Sequence, residues 1–173
     1  IIKKHTDYVI VSGYVSILLG RSRATEDIDM FIKKIPPEKF GRLYKELTDK
    51  NFWCINSENL TEIYKFLEDK LAIRFAYKGE GVPNFEVKFP KDELDEDAFK
   101  EIIKVKINDK EIIISSLERQ IAFKKYYLGS NKDIEDAEHI EGLFKENINF
   151  EKIKKIKEQI KERKIRWKKQ KFL

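Results

Sequence analysis

Several features that define common classes of protein are scarce in this chain of 173 residues. It has a single cysteine, Cys54, which excludes both an internal disulfide and a zinc cluster built on thiolates. Its two histidines, His5 and His139, are distant in sequence and leave little for a histidine-based metal site. Any metal ion is therefore expected to be held by oxygen ligands.

Long apolar runs are also missing. The longest, such as residues 8–11 and 15–19, are far too short to cross a bilayer, and no signal-like segment opens the chain. We therefore expect a cytoplasmic protein with no membrane partner. Twelve Phe and seven Tyr are enough for a sizeable core, so the 39% of charged residues does not indicate disorder.

The positive charge is concentrated at one end. Residues 151–173 contain 11 basic and 3 acidic side chains, whereas residues 1–150 contain 25 basic and 28 acidic ones. The formal charge of +5 is thus the sum of a slightly acidic body and a strongly basic C-terminal segment. Abundant Lys, Glu and Ile is also typical of proteins from thermophiles, although this composition predicts no function.

Hydrophobic periodicity predicts an α/β (α+β) protein. A mixed sheet with flanking helices is expected in residues 1–115, and a helical region that ends in a basic helix is expected in residues 116–173. Residues 7–11 and the alternating residues 27–32 are predicted as strands, and Ser12-Gly13 separates the first of them from a short apolar helix. Further strands are predicted at residues 71–77, 84–89, 102–107 and 111–115, and further helices at 37–50, 59–69, 92–97, 117–128, 132–144 and 150–171.

The chemistry is expected at the second strand. Asp27 and Asp29 are two residues apart on it and point to the same face, as carboxylates that hold a pair of divalent cations do. Oxygen ligands suit Mg²⁺ or Mn²⁺. Glu86, on another strand, could complete the metal shell or accept a proton, and the Ser12-Gly13 turn could bind a phosphate at a helix start. Each feature also has a plainer interpretation, namely a solvated strand face or an ordinary turn.

Two stretches resemble a known family. Residues 11–14 (VSGY) followed by residues 21–31 (RSRATEDIDMF) resemble the signature of the polymerase-beta-like nucleotidyltransferase superfamily, including an Arg and a Thr before the first Asp. Residues 116–136 resemble the C-terminal helices of its toxin-antitoxin and abortive-infection branch, which carry a Lys in the first helix and an Arg/Lys-Asp-x-x-Asp in the second. The chain departs from the common pattern at Ser12, where glycine is usual, and at Glu86, where Asp is commoner.

The resemblance implies a Mg²⁺- or Mn²⁺-dependent enzyme that moves a nucleoside monophosphate from an NTP to a hydroxyl of RNA, such as a transfer RNA, or of a protein. It also implies a possible cognate toxin or antitoxin. One alternative is a degenerate member that only binds, and another is an RNA-binding module that acts through the basic C-terminal helix. The site residues implied are Asp27, Asp29 and Glu86 for catalysis and metal binding, and Ser12, Gly13, Arg23, Thr25 and Lys124 for the nucleotide.

Three further expectations concern the C-terminal region. Asp133 and Asp136 are three residues apart on a helix and are interpreted first as capping and surface charges, with Lys132 and Asp136 as an ion pair four residues apart. Ile153, Ile156 and Ile160 fall on one face of the last helix, and the basic residues, Arg163 included, are expected on the rest. This helix is interpreted equally well as a docked helix with a solvated side and as a surface for RNA.

Overall fold

A computed structural model describes residues 1–170 as one mixed seven-stranded sheet with helices against it. The strands are β1 (Tyr8–Ile10), β2 (Asp27–Ile32), β3 (Phe52–Cys54), β4 (Ile73–Tyr77), β5 (Asn84–Lys88), β6 (Ile102–Ile107) and β7 (Lys110–Ser115). The helices are α1 (Ile2–His5), α2 (Gly13–Leu18), α3 (Pro37–Asp49), α4 (Leu60–Glu68), α5 (Glu93–Glu96), α6 (Leu117–Ala122), α7 (Asn131–Phe144) and α8 (Phe150–Gln170). A π-helical segment, Phe123–Leu128, continues α6.

The sheet order β3-β4-β5-β2-β1-β7-β6 puts β2 at its centre. β2 pairs antiparallel with β1 on one side and parallel with β5 on the other. The alternation of charged and apolar residues that predicts β2 therefore lies on a strand that is hydrogen-bonded along both edges, and its buried residues are Met30, Phe31 and Ile32. The pairing with β1 covers Met30–Ile32, and the pairing with β5 covers Asp27–Phe31.

The main core lies between the sheet and the helices α3 and α4. Phe40 and Leu43 of α3 and Ile63 and Leu67 of α4 are buried against strand residues such as Phe75. Helical spacing of the apolar residues forms this face of α3, and the side chain of Asn59 caps α4 by accepting from the amides of Thr61 and Glu62.

A second core joins α6, α7 and α8, with Ile121, Ala137, Ile140, Ile153 and Ile160 at its centre. The side chain of Ser116 caps α6. Most predicted elements are present, whereas the short helix α1 and the three-residue strand β3 carry too little periodicity to be predicted. No helix within residues 1–170 combines the length and the apolar character needed to span a membrane.

Candidate active site

Two neighbouring strands bring the predicted carboxylates together. β2 and β5 pair in parallel register, with Asp27 opposite Asn84 and Asp29 opposite Glu86. Asp27 and Asp29 lie on the same face of β2 because side chains alternate along a strand. The hydroxyl of Thr25 donates to Asp27 Oδ1 over 3.3 Å and so orients this carboxylate. Strand pairing between residues almost 60 positions apart thus creates a site with three acidic side chains.

A lysine that the sequence analysis did not assign to the site lies between two of these carboxylates. Lys88 Nζ is 3.1 Å from Asp29 Oδ1 and 3.4 Å from Glu86 Oε1. On the outer side of Glu86, Arg74 Nη2 is 2.6 Å from Oε2. Glu86 is therefore held by two cations, whereas Asp29 has one and shares it.

The pKa shifts reflect this difference. Burial raises the pKa of Asp29 above its ordinary 3.8, and the neighbouring carboxylates add to the rise, although Lys88 opposes it. Burial also acts to raise the pKa of Glu86, but Lys88 and Arg74 outweigh it and the pKa of Glu86 is lowered. Burial would lower the pKa of Lys88, yet Asp29 and Glu86 raise it, so this side chain stays charged. Asp29 is therefore the carboxylate whose charged form is least stabilised by the residues around it.

Within residues 1–170 no group of three or more His, Cys, Asp or Glu side chains is arranged to hold a metal ion. Arg74 and Lys88 engage both oxygens of Glu86. Asp27 and Asp29 fit Mg²⁺ or Mn²⁺, which bind protein through one or two carboxylates and take further ligands from water and phosphate. Glu86, expected as a third ligand, is instead an ion-pair partner in this structure.

The turn after β1 has an unusual backbone. Ser12 adopts φ 66° and ψ −139°, a conformation that costs free energy for a residue other than glycine. Its side chain does not cap α2, so the hydroxyl makes no bond to the first amides of that helix. The amide of the preceding residue, Val11, donates to the carbonyl of Asp29 over 2.9 Å, which ties the turn to β2.

Gly13 and Arg23 are in close contact. A Cβ atom on Gly13 would lie 2.7 Å from Arg23 Nη2, so any larger residue would require this guanidinium to shift. Arg23 Nη1 in turn donates to Asp136 Oδ2. Lys124 Nζ donates to the same oxygen over 2.8 Å, and the side chains of Lys124 and Asp136 are 1% and 0% exposed. Two of the residues implied for nucleotide binding, Arg23 and Lys124, thus bind one buried aspartate of α7, and a third, Gly13, packs against Arg23.

Asp136 corrects one expectation. Instead of a surface charge paired with Lys132, it is buried and binds Arg23 and Lys124. Its neighbour Asp133 behaves as expected, since it forms a capping box with Ser130 at the start of α7. The four-residue spacing on α7 predicts Lys132 as the partner of Asp136. The partners in the structure, Arg23 and Lys124, come from two other segments of the chain.

The last helix differs from expectation in a similar way. Arg163 lies on the buried face of α8, and its Nη1 and Nη2 are 2.8 and 3.2 Å from the two carboxylate oxygens of Asp95. It follows Ile153, Ile156 and Ile160 at helical spacing, so the pattern itself places Arg163 among the apolar residues. The signal in the sequence is a cation on the apolar face of a helix, which predicts a buried side chain that requires an acidic partner.

A cleft of about 200 Å³ runs from the carboxylates to the helices. Its sheet wall includes Ser12, Asp29, Phe31 and Lys88, and its helical wall is formed by α6, the π-helical segment and α8. Five cationic side chains and two carboxylates line it, and two of the cations, Lys124 and Arg163, are already paired with Asp136 and Asp95. The cationic residues are Lys88, Lys91, Arg119, Lys124 and Arg163.

Comparisons of the fold agree with this architecture. The antibiotic-resistance factor ANT(2'')-Ia superposes with a TM-score of 0.61 at 16% identity, over 98% of this chain and 90% of that one. The fold is nucleotidyltransferase-like. An antigenic nucleotidyltransferase-like protein from Paracoccidioides brasiliensis superposes with a TM-score of 0.51 at 23% identity, over 82% of this chain and 70% of that one. No protein-family model matches the chain, and no curated protein matches it either.

At these identities the two structures show the nucleotidyltransferase-like fold alone. The fold class predicted from the sequence is confirmed. The toxin-antitoxin branch, the division at residue 115 and the roles of the individual site residues stay predictions.

Proposed function

We propose that the chain is a nucleotidyltransferase that moves a nucleoside monophosphate from an NTP to a hydroxyl of RNA. The observation that carries this proposal is the side-by-side placement of Asp27 and Asp29 on the central strand of a nucleotidyltransferase-like sheet, beside a cleft lined by five cationic side chains. Two carboxylates on one strand face are a ligand set that Mg²⁺ or Mn²⁺ accepts, with water and phosphate completing the coordination.

In this reaction, Asp27 and Asp29 would hold Mg²⁺ or Mn²⁺, which supplies charge neutralisation and alignment for in-line attack on the α-phosphate. The strained Ser12 and its neighbour Gly13 would hold the phosphates of the NTP. Thr25 would keep Asp27 oriented through its hydrogen bond. Arg23 packs against Gly13, and Asp136 binds both Arg23 and Lys124, so these two cations would hold the Ser12-Gly13 turn (the phosphate turn) in place rather than contact the nucleotide directly.

Glu86 has a weaker claim to accept a proton from the attacking hydroxyl. Lys88 and Arg74 lower its pKa, which makes it a poorer base than a carboxylate in isolation. Asp29 is not assigned this step, because its carboxylate would bind the metal ion. The expected third carboxylate is thus proposed to act by positioning Lys88.

RNA is favoured over protein as acceptor by the charge of α8. Its exposed side chains are predominantly basic, whereas its buried face contributes Arg163 to the cleft. A chain of phosphates is the acceptor that such a surface attracts. The exposed basic residues of α8 are Lys154, Lys155, Lys161, Lys164, Arg166, Lys168 and Lys169.

The test is incubation with each α-labelled NTP in turn, with Mg²⁺ and total RNA or total cell protein. Label should appear in an RNase-sensitive product, and Asp29→Asn should remove it. Asp49→Asn, an exposed carboxylate at the end of α3, should leave it unchanged. Label in a protease-sensitive product would assign the acceptor to protein, and no label with any of the four nucleotides would contradict the proposal.

Surface charge on α8 is tested separately. Lys154→Gln with Arg166→Gln should weaken binding of single-stranded RNA and reduce the slope of log K against log salt by about 1.4, at about 0.7 for each phosphate that is no longer neutralised. Lys45→Gln with Lys65→Gln, which removes two exposed lysines of α3 and α4, should leave the slope unchanged. Equal slopes for the two double variants would remove α8 from the RNA interface.

One observation favours a second candidate, a protein of this fold that binds nucleotide or a partner without transfer. Lys88 occupies the space between Asp29 and Glu86. If it stays there, the carboxylates have their counterion and need no metal. Titration calorimetry with Mg-ATP and Mg-CTP distinguishes the two, because nucleotide binding without transfer to any acceptor would support this candidate.

A further inference from the structure

Arg119 is a buried cation for which the proposed reaction gives no role. It lies in α6 with 6% of its surface exposed, and its guanidinium lies over the ring of Phe123 at 4.2 Å from the centroid. Its Nη2 is buried and donates to no group within residues 1–170. Leaving a charged donor unpaired in such surroundings costs free energy, and burial lowers the pKa of Arg119 to about 10.

The nearby carboxylate is already engaged. Among residues 1–170, the one carboxylate oxygen within 4.0 Å of the Arg119 guanidinium is Asp95 Oδ1, at 4.0 Å from Nη2. Arg163 binds both oxygens of Asp95, and the amide of Lys91 donates to Oδ2 over 3.1 Å. Arg163 also has Asp92 Oδ2 at 3.0 Å from its Nε. Asp95 is thus the close partner of Arg163, and Arg119 has none.

The cleft supplies the place for that missing partner. Arg119 lines the same cleft as Asp29 and Ser12, together with Lys88, Lys91 and Lys124. Gly13 and Arg23, which form the back of the phosphate turn, do not line it. A ligand in this cleft would therefore lie between Asp29 and Arg119 and would not contact Gly13 or Arg23. An anion at Arg119 would be bound at the helical wall.

The chemistry of a guanidinium selects the ligand class. Its planar donors match the oxygens of phosphate, and it lies over the ring of Phe123. Lys88, Lys91 and Lys124 line the same cleft and add positive charge to it, whereas the carboxylates closest to Arg119 belong to Asp92, Asp95 and Asp97. Because Arg163 already binds Asp95 and Asp92, Nη2 of Arg119 is left to bind an anionic group from outside the chain. We propose that Arg119 is the centre of a phosphate-binding site on the helical wall of this cleft, and that it holds a phosphate group of the acceptor strand.

The first half of this proposal is independent of the reaction, whereas the assignment to the acceptor rests on the proposed function. Inorganic phosphate is therefore the first probe. Titrated into the wild-type protein, it should shift the arginine Nε–Hε resonance of Arg119 saturably in NMR spectra. Absence of this shift at millimolar phosphate would overturn the site, and the result needs no variant to fold.

Calorimetry of variants gives the second measure. Arg119→Gln should weaken phosphate binding at least tenfold, and Arg119→Lys should weaken it less because the charge remains while the planar fork is lost. Arg42→Gln, at an exposed arginine of α3, is the matched control and should bind phosphate like the wild type. Wild-type affinity in a folded Arg119→Gln would also overturn the site.

Competition identifies the source of the phosphate. A short single-stranded RNA is expected to displace inorganic phosphate from Arg119, and a non-hydrolysable NTP with Mg²⁺ is expected to leave it bound. Displacement by the NTP and not by RNA would contradict the assignment to the acceptor. If no transfer is ever detected but RNA displaces phosphate, the proposed function fails and the site stands. If transfer occurs and Arg119→Gln keeps the wild-type KM for RNA, the assignment to the acceptor strand fails and the proposed function stands.

Discussion

Replacing Asp136 by Asn should destabilise the protein far more than an ordinary helix substitution. The side chain is fully buried, and it is the shared partner of Arg23 and of Lys124, whose own side chain is 1% exposed. The variant keeps the shape of the side chain but leaves two buried or half-buried cations without their anion. Breaking a buried ion pair by removing one partner costs about 3 to 5 kcal/mol.

For a domain of this size, a loss of about 3 kcal/mol lowers Tm by about 6–12 °C, at roughly 2–4 °C per kcal/mol. Urea denaturation followed by circular dichroism measures the free energy of unfolding directly. The matched control is Glu135→Gln, the neighbouring residue on α7, which pairs with Arg21 at 60% exposure and should cost under about 0.5 kcal/mol. Equal stabilities of the two variants would refute the idea that Asp136 neutralises Arg23 and Lys124.

Three more predictions concern the carboxylates of β2 and the Ser12-Gly13 turn. Lys88→Met should tighten Mn²⁺ binding measured by electron paramagnetic resonance, because the metal no longer competes with an ammonium at Asp29; unchanged affinity would mean that Lys88 does not occupy the metal position. Gly13→Ala should lower both Tm and NTP affinity in calorimetry, because its Cβ would displace Arg23, and normal values for both would contradict the close packing. The raised pKa of Asp29 means that the folded protein holds a proton above pH 3.8, so this residue makes the free energy of unfolding fall as pH rises from 3.8 through the folded pKa. The fall should be smaller in metal-free Asp29→Asn when the two proteins are unfolded in parallel across that range, and identical pH profiles would contradict the shift.

Local patterns predicted the parts of the site that depend on local structure. The alternation around Asp27 and Asp29 places both on one face of β2, and the same rule places Glu86 and Lys88 together on β5. What no local pattern contains is the parallel pairing of β2 with β5, and this pairing brings Lys88 to Asp29. The sequence therefore predicts that Lys88 lies beside Glu86 on β5. It does not predict the ion pair between Lys88 and Asp29 of β2.

Buried charges were the other source of error. Lys132 lies four residues before Asp136 on the same helix, so the helix predicts an ion pair between them. The sequence of that helix does not predict the contact between Asp136 and Arg23, which are 113 positions apart. Arg163 is different, since the helical repeat already placed it on the apolar face of α8. Composition alone describes α8 as a basic helix and does not distinguish the buried Arg163 from the exposed lysines and arginines of the same helix.

The central position of β2 also has a consequence for motion. A strand that is hydrogen-bonded on both edges opens only with the whole sheet, so the amides around Asp29 should be among the slowest to exchange with solvent. The other wall of the cleft is formed by α6, the π-helical segment and α8, none of which is a strand of the sheet. Amides of these helices are therefore expected to exchange faster than those around Asp29, so the two walls of the cleft should differ in rigidity.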